Sequence, residues 1–509
     1  MQKKQTILVV ASLLVVILSV TLAYFTAQII GKGKNVTINS ADLKIVFTDS
    51  DGSISGSNIE PGKWNVTKTF TIENKSNETY KYNIVIQDLV NTFVTEGYLQ
   101  YKITSTNGGY NMNEFKDVPK SETAKDTILA YSVSIPVVVT QSYTVEFKYS
   151  NDESVDQSED MGKTLSGKLF ITEGTEEPTL LSQILKDNPT RSTRSNNNNG
   201  TNDFATPLTT TTTGTLFTST ESITGITDSP KEVYYFAGNT TNNWVKFANL
   251  YWRIIRTNHD GSIRLLYVGT SHDTTSGNIG ESAFNTNSNS PKYVGYKYGE
   301  DTSLDTIRNN TTDSTIKTFI DSWYQNNLTN YTKYLSTSAV YCNDRSEGTG
   351  QTYSASSKFN FASYYRMDWD TDGAKANPSY NCTNIKDAFS VDNTSAKLDY
   401  PIALMTADEI AYAGGVAFQK MSTPYAWFIS NSTGSQVSSN WWSLSPIYWN
   451  GSYTLVWDWS SGLADLDFHT ATDALGVRPA ISLKFCIKYS TGNGTYNEPY
   501  EIKETSSGC

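Results

Sequence analysis

A cluster of aromatic and acidic residues near the C-terminus offers the side chains that sugar-binding sites use. Trp449, Trp457 and Trp459 are close in the sequence, and Asp458 lies between the last two. An exposed indole ring can stack on a sugar, while a neighbouring carboxylate accepts hydrogen bonds from its hydroxyls. We therefore predict a ligand site that contains Trp449, Trp457, Asp458 and Trp459. The alternative is that these rings are core, because large aromatic side chains in a β-rich protein need burial.

An acidic stretch upstream has the spacing of the first half of a calcium-binding loop. Asp368, Asp370 and Asp372 alternate with other residues, and Gly373 follows them. Carboxylates at alternate loop positions converge on one cation, so these three residues are candidate calcium ligands. Position twelve of such a loop would be Ser379, where a bidentate acid is expected. A solvated acidic loop without calcium is therefore the alternative.

The histidines do not form a recognisable catalytic or zinc site. The chain has three of them, His259, His272 and His469, and none lies in a known metal-binding or triad spacing. No HExxH sequence is present. We therefore predict that the protein is not an enzyme.

Four cysteines are available for disulfide bonds, namely Cys342, Cys382, Cys486 and Cys509. Four cysteines allow three connectivities, and sequence order alone does not choose among them. We predict Cys342–Cys382 and Cys486–Cys509, because each pair closes a loop within one segment. Disulfides persist in oxidising compartments, so this prediction places the chain outside the cytoplasm. Four free thiols are the alternative.

The apolar run from Ile7 to Ile30 supports the same compartment. It carries no charge and is longer than the roughly 20 residues that a helix needs to cross a bilayer. Lys3 and Lys4 precede it, so the positive-inside rule leaves the N-terminus in the cytoplasm. We predict a cytoplasmic tip and single-pass membrane anchor over residues 1–31, with the body of the chain extracellular. A cleaved signal peptide is the alternative.

Three segments follow the anchor and must position the candidate site residues. Residues 36–174 alternate polar and apolar side chains, as in Tyr80, Tyr82 and Ile84, which predicts a β-sandwich of short strands. Residues 175–230 are rich in Thr, Ser and Asn and predict a flexible linker, with a short docked helix over residues 180–185. Residues 231–509 combine strands with helices and predict an α+β domain. The expected fold is therefore an N-terminal transmembrane helix followed by a mainly β chain.

The sandwich segment carries a family resemblance. The stretch from Ile59 to Asn74, IEPGKWNVTKTFTIEN, follows shortly after the apolar run. It resembles the camelysin/TasA group of bacterial surface proteins. That resemblance implies an export segment followed by a jelly-roll-like sandwich, and some members of the group assemble into biofilm fibres.

Local signals in the last segment predict a hairpin and two helices. Asp260-Gly261 suits the turn of a β-hairpin. Apolar residues from Ile316 to Leu328 recur at helical spacing, with Asp313 or Ser314 available as the N-cap. The second helix is predicted to begin after Thr406 with a Thr-x-x-Glu capping box and to end at Gly414-Gly415.

The last segment also carries a family resemblance. Tyr400 to Gly415, then Trp441 to Pro446, then Gly476 to Leu483 follow one another in a characteristic order. This order resembles a domain family of unknown function in bacterial surface proteins, and more distantly the C-type-lectin-like domains of the formylglycine-generating-enzyme branch. The chain lacks that enzyme's cysteine pair, since no cysteine lies between residues 382 and 486. It also lacks the Pro-centred motif of calcium-dependent lectins.

These observations together predict a membrane-anchored bacterial cell-surface binding protein, an adhesin or lectin-like protein that recognises a glycan or a protein. A net charge of −11 argues against a nucleic-acid partner. One alternative is a structural component of an extracellular matrix fibre. Another is an enzyme of formylglycine-generating-like fold, which the missing cysteines disfavour.

Overall fold

The structure is a computed structural model that describes residues 36–37, 43–47, 52–54, 59–75, 77–197, 200–272, 277–367, 373–421, 440–461 and 464–509, with the backbone alone for 36–37 and 43–47. The chain is mainly β, as predicted, and divides into two compact units, Met1–Glu177 and Pro178–Cys509. The predicted anchor and the three aspartates of the predicted calcium loop lie outside the described residues. Among the residues that are described, no helix is long and apolar enough to cross a membrane.

The first unit is a β-sandwich. Its strands are β1 (Val36–Thr37), β2 (Leu43–Phe47), β3 (Asn65–Asn74), β4 (Tyr80–Asn91), β5 (Leu99–Ser105), β6 (Lys116–Asp117), β7 (Ser121–Ile135), β8 (Thr140–Tyr149) and β9 (Leu165–Glu173). One sheet has the order β1-β2-β3-β8-β5-β6, and the other has the order β7-β4-β9. Phe70 and Val145 from the first sheet share one buried core with Ile84 and Ile86 from the second. This arrangement confirms the predicted β-sandwich, because period-two alternation turns one face of each sheet towards the other.

The second unit combines short helices with two larger sheets. Its helices are α1 (Leu180–Asp187), α2 (Leu304–Ile307), α3 (Thr315–Asn327), α4 (Ala362–Arg366) and α5 (Ala407–Ala413). The strands are β10 (Thr190–Thr193), β11 (Thr215–Glu221), β12 (Lys231–Tyr235), β13 (Trp244–Phe247), β14 (Leu250–Thr257), β15 (Ile263–Gly269), β16 (Glu281–Ala283), β17 (Lys297–Tyr298), β18 (Thr312–Asp313), β19 (Tyr341–Cys342), β20 (Phe359–Asn360), β21 (Ala388–Phe389), β22 (Ile402–Leu404), β23 (Trp441–Trp449), β24 (Thr454–Ser460), β25 (Asp465–Thr470), β26 (Ala474–Gly476), β27 (Pro479–Leu483), β28 (Tyr489–Thr491) and β29 (Tyr500–Ile502).

Most strands of this unit belong to two sheets. The larger sheet has the order β10-β11-β12-β14-β13-β29-β28, and β15, β27 and β22 continue it from β14. The smaller sheet has the order β16-β26-β23-β24-β25, with β20 paired to β23. A single apolar cluster includes Trp252 and Leu265 of the larger sheet, Trp457 of the smaller sheet and Ile320 of α3. The two sheets and the helices therefore share one core.

The predicted linker over residues 175–230 is corrected by the structure. Helix α1 falls where a short helix was predicted, and Leu180 and Ile184 on it are buried in the core of the second unit. Strand β10 pairs with β11 in parallel, and β11 pairs with β12 in the larger sheet. Phe217 of β11 is buried as well. The Thr/Ser/Asn composition hid these few apolar residues, whose burial is sufficient to attach the segment to a core built by the rest of the unit.

Local predictions in this unit are confirmed. Strands β14 and β15 form the hairpin around Gly261, whose φ of 76° is in the left-handed region that glycine favours. Ser314 caps α3 by accepting a hydrogen bond from the Lys317 amide, and the Thr406–Glu409 capping box begins α5. Helix α5 ends at Gly414, which has a φ of 122°.

Both predicted disulfides are present. Cys342 is bonded to Cys382, and Cys486 is bonded to Cys509. All four cysteines lie in the second unit, and none of them is a free thiol. The alternative of four free thiols is therefore rejected.

Candidate functional site

The aromatic cluster predicted as a ligand site lies in the core. Trp457 and Trp459 are 0 % exposed, Asp458 is 0 % exposed and Trp449 is 2 % exposed. Strand β24 is bordered by β23 and β25, and every residue from 454 to 460 is buried, so both faces of this strand are covered. A fully buried indole offers no surface to a sugar. The prediction of a ligand site at these four residues is therefore wrong. The alternative interpretation, in which the tryptophan rings are part of the core, is correct.

Asp458 instead orients a histidine that the sequence left without a partner. Its Oδ1 lies 2.8 Å from Nδ1 of His469 on the neighbouring strand β25. Asp458 lies directly opposite Asp467 of β25, and cross-strand partners share one face of a sheet. Asp465 and His469 are two residues to either side of Asp467, so their side chains lie on that same face. The hydrogen bond to Asp458 raises the pKa of His469. Burial raises the pKa of Asp458 to about 6 and that of Asp465 to about 7.

This acidic face resembles part of a catalytic site without completing one. An imidazole held by a buried carboxylate is the general-base half of a nucleophile-activating triad. Among the described residues, no hydroxyl or thiol is hydrogen-bonded to the other ring nitrogen of His469. The pair can therefore take up and release a proton, but it has no nucleophile to activate within that part of the chain.

Three carboxylates on and near α3 have the spacing of a metal site, but a lysine occupies their centre. Oxygen atoms of Asp313, Asp321 and Asp399 lie within 4.8 Å of one another. The fully buried Lys317 ammonium lies 3.1, 2.5 and 2.7 Å from these carboxylates, respectively. Burial alone would lower the pKa of Lys317, but the carboxylates raise it overall. The lysine thus supplies the positive charge that a metal ion would supply, and we assign this cluster a structural role.

A second buried charge network joins α5 to the larger sheet. Arg256 donates hydrogen bonds of 2.8 Å to both Glu221 and Glu409, and Arg264 also pairs with Glu409. Glu221, Arg256 and Arg264 border a small cavity of about 20 Å³. A cavity of that size holds about one water molecule, so it is too small for a substrate. The network therefore fixes the packing of α5, whose capping box shares Glu409 with it.

An open groove lies along one face of α3. Its volume is about 530 Å³, within the roughly 300–1,000 Å³ range of small-molecule sites. Thr315, Thr318, Phe319 and Ser322 line one side, and they recur at the i, i+3, i+4 and i+7 spacing that places side chains on one helix face. The opposite face of α3 buries Ile316, Ile320 and Tyr324 in the core. We call this feature the groove; its other lining residues are Ser282, Asn285, Thr286, Tyr298, Asp313 and Ser314.

The helix side of the groove presents oxygen atoms around one apolar ring. The hydroxyl of Thr318 donates to the Ser314 carbonyl at 3.1 Å, and that of Ser322 donates to the Thr318 carbonyl at 2.9 Å. Both hydroxyls therefore keep acceptor lone pairs for a ligand. The Phe319 ring packs on Gly280, where a Cβ atom would lie 3.0 Å from the ring. A residue with a side chain at position 280 would therefore displace this ring.

The other side of the groove adds an amide, a phenol and a carboxylate. Asn285 is almost completely buried and is held by the Tyr293 carbonyl at 3.4 Å. Tyr298 is half-buried and packs edge-on against Tyr293. Asp313 pairs with Lys297 and Lys317, both at 3.1 Å, so its charge is balanced. The groove is therefore polar and close to neutral, with one phenyl ring, which suits an uncharged polyhydroxyl ligand.

Sequence reasoning missed the groove because its residues come from three separate stretches of the chain. The periodicity of α3 indicated its core face, and the remaining Thr and Ser positions looked like an ordinary solvent-exposed face. The only local signal was the combination of Thr315, Thr318 and Ser322 with Phe319 on one face. Comparison of the chain with protein families, with curated proteins and with solved structures finds no match.

Proposed function

We propose that the protein is a membrane-anchored bacterial cell-surface protein that binds a glycan, and that the groove along α3 holds the ligand. The observation that carries this proposal is the composition of the groove: hydroxyls, an amide and a charge-balanced carboxylate surround the Phe319 ring in a space of about 530 Å³. Sugars present hydroxyls at their edges and C–H groups on their faces, so hydroxyl and amide partners combined with an aromatic ring match both.

The extracellular location in this proposal is supported by the cysteines and by the apolar run. Both disulfides lie in the unit that contains the groove, and such bonds persist in oxidising compartments. Ile7–Ile30 would hold the chain at the membrane. A C-type-lectin-like fold for the second unit is part of the proposal, since it rests on the resemblance of the segments around Trp441 and Arg478.

The test is binding of the purified full chain to a broad glycan array, followed by titration of any bound sugar into two matched variants. Thr318→Arg places a long charged side chain in the groove from an exposed helix position. Asn327→Arg places the same side chain at another exposed position of α3, outside the groove. We expect saturable binding to the wild type, at least ten-fold weaker binding to Thr318→Arg, and unchanged binding to Asn327→Arg.

Two results would refute the proposal. One is the absence of any saturable glycan binding by the folded wild-type protein. The other is binding that Thr318→Arg and Asn327→Arg weaken equally, which would place the site elsewhere. Each array is run with and without calcium, because dependence on calcium would support the predicted ligands Asp368, Asp370 and Asp372.

A further inference from the structure

The oxygen atoms that line the groove meet a ligand mainly as hydrogen-bond acceptors. The hydroxyls of Thr318 and Ser322 already donate to carbonyls of α3, at 3.1 and 2.9 Å. Those of Ser282 and Ser314 each donate to a backbone carbonyl at 2.8 Å. The carboxylate of Asp313, which is paired with two lysines, also offers lone pairs. A ligand that matches the groove therefore has to donate hydrogen bonds from several of its own positions.

The groups on the α3 side of the groove form a row parallel to the helix axis. Thr315 and Ser322 are seven residues apart, which is about 10 Å at the usual rise of about 1.5 Å per residue. Thr318 and Phe319 lie between them. Helix α3 contains neither proline nor glycine, the residues that most often kink a helix. The row is therefore straight, and its contacts repeat once per turn, about every 5 Å.

Phe319 provides an apolar surface in the middle of this row. Its ring is half-buried, and it packs against the core and against Gly280. A hexose ring whose hydroxyls are mainly equatorial presents C–H groups on its faces and hydroxyls along its edges. Such a ring can lie on Phe319 while its hydroxyls donate to the oxygen atoms on either side.

A chain of β-1,4-linked hexoses has the shape and the interval of this row. The chain is extended, and each sugar advances by a distance close to one turn of an α-helix. Hydroxyls of successive sugars can therefore reach successive turns of α3. An α-1,4-linked chain of the same sugars coils, so its successive hydroxyls turn away from a straight row. The shape of the groove thus favours the β-1,4 linkage over the α-1,4 linkage.

We propose that the groove binds about two or three consecutive units of an extended, neutral β-1,4-linked hexose chain that runs parallel to α3. This inference rests on the proposed function, because it specifies the class of glycan that the groove holds. It can fail while the proposed function holds, if the groove binds a glycan of another shape.

The experiment is calorimetric titration of the full chain with four tetrasaccharide and monosaccharide probes that differ in linkage and length, together with one more sugar type. The probes are glucose, cellotetraose and maltotetraose, with mannose and β-1,4-linked mannotetraose as the second sugar type. Cellotetraose and maltotetraose contain the same sugar and differ only in linkage. We expect at least one β-1,4-linked tetrasaccharide to bind ten-fold or more tightly than its own monosaccharide and than maltotetraose. The tighter of the two identifies the sugar.

Three results would overturn the inference: no binding of either β-1,4-linked tetrasaccharide, equal binding of maltotetraose, or equal affinity for a tetrasaccharide and its monosaccharide. The proposed function would survive each of them if the glycan array finds another sugar whose binding Thr318→Arg weakens and Asn327→Arg does not. If the array finds no such sugar, the proposed function fails as well.

Two matched variants test whether the row on α3 contacts the chain. Ser322→Ala removes one acceptor at the end of the row, at an exposed helix position that alanine suits. We expect the tetrasaccharide to bind about three- to ten-fold more weakly, as for the loss of one hydrogen bond. Thr329→Ala removes an exposed hydroxyl outside the groove that, like that of Ser322, donates to the carbonyl four residues before it, and it should leave binding unchanged. Equal effects of the two variants, or full binding by Ser322→Ala, would overturn the assignment of the row.

Discussion

Replacing Asp465 with asparagine should stabilise the protein at neutral and alkaline pH but not in acid. Asp465 is the first residue of β25 and is 3 % exposed, and its Oδ1 has no hydrogen-bond partner. Burial, together with repulsion from Asp467 and Asp458, raises its pKa from 3.8 to about 7. The folded protein therefore binds a proton more tightly at this site than the unfolded chain does. Asparagine has a similar shape and never ionises.

The sign and size of the effect follow from this difference. Because the folded-state pKa is raised, the contribution of Asp465 to the unfolding free energy is highest below about pH 4, falls as pH rises towards 7, and levels off above that. The pKa of Asp465 rises from 3.8 to about 7, and each pKa unit corresponds to about 1.36 kcal/mol. Ionised Asp465 therefore lowers the unfolding free energy by about 4 kcal/mol at most. We therefore expect Asp465→Asn to be about 2–4 kcal/mol more stable than wild type at pH 8, and nearly equal to it at pH 4.

Urea unfolding from pH 4 to pH 8.5, followed by tryptophan fluorescence, measures this difference. Ten of the eleven tryptophans follow Pro178, so the signal reports mainly the unit that contains Asp465. Asp392→Asn removes one negative charge at an exposed position of the same unit and serves as the control. If the curves of wild type and Asp465→Asn run parallel across the pH range, the assignment of a protonated, buried Asp465 is wrong. Part of the slope should remain in the variant, because Asp458 and His469 also have raised pKa values.

Three further variants test the interactions that hold the second unit together. Trp459→Ala should lower the unfolding free energy by about 3–5 kcal/mol in urea titrations, because it empties a fully buried indole site; a loss under 1 kcal/mol would contradict its place in the core. Lys317→Met should lower the unfolding free energy by about 3–5 kcal/mol at pH 7, because it leaves Asp321 buried among like charges. This loss of unfolding free energy should become smaller in acid, as the carboxylates are protonated. The double change of Cys342 and Cys382 to serine should cost about 4 kcal/mol for a loop of 40 residues, and a reducing agent should have no additional effect at this loop.

The features predicted correctly from the sequence depend on residues close to one another in the chain. The capping box of α5 needs only Thr406 and Glu409, and the hairpin of β14 and β15 needs only the turn at Gly261. Sandwich strands were recognisable because period-two alternation is a property of each strand alone. Each disulfide closes a loop within one segment, so proximity in sequence was a sufficient guide to pairing.

The predicted linker shows where composition misleads. Thr, Ser and Asn dominate residues 175–230, and such a segment cannot form a core of its own. It does not have to, because Leu180, Ile184 and Phe217 are buried in cores that the rest of the second unit provides. Composition indicates whether a segment can fold alone. Whether the segment packs on a neighbouring core depends on a few apolar residues and on a surface formed by residues that are distant in the sequence.

The aromatic cluster failed as a predicted ligand site because alternation does not reveal whether a strand has a solvent-exposed face. Trp457 and Trp459 point one way from β24 and Asp458 points the other way, as the sequence indicated. In a sugar-binding strand of this pattern, the side chains on one face would be exposed to solvent. Strand β24 is instead bordered by strands on both edges and is covered on both faces. The buried carboxylate of Asp458 is tolerated because His469 comes from the next strand to meet it.

Two arginines on one strand show why the roles of buried charges needed the tertiary structure. Arg253 and Arg256 are only three residues apart on β14, and nothing in the local sequence distinguishes them. The register of β14 and β15 shifts between Ile254 and Arg256, and Arg256 reaches Glu221 and Glu409, which are 35 and 153 residues away in the chain. Arg253 meets only neutral acceptors and an indole ring. Only the fold therefore separates an arginine that joins a network of ion pairs from one that packs against neutral groups.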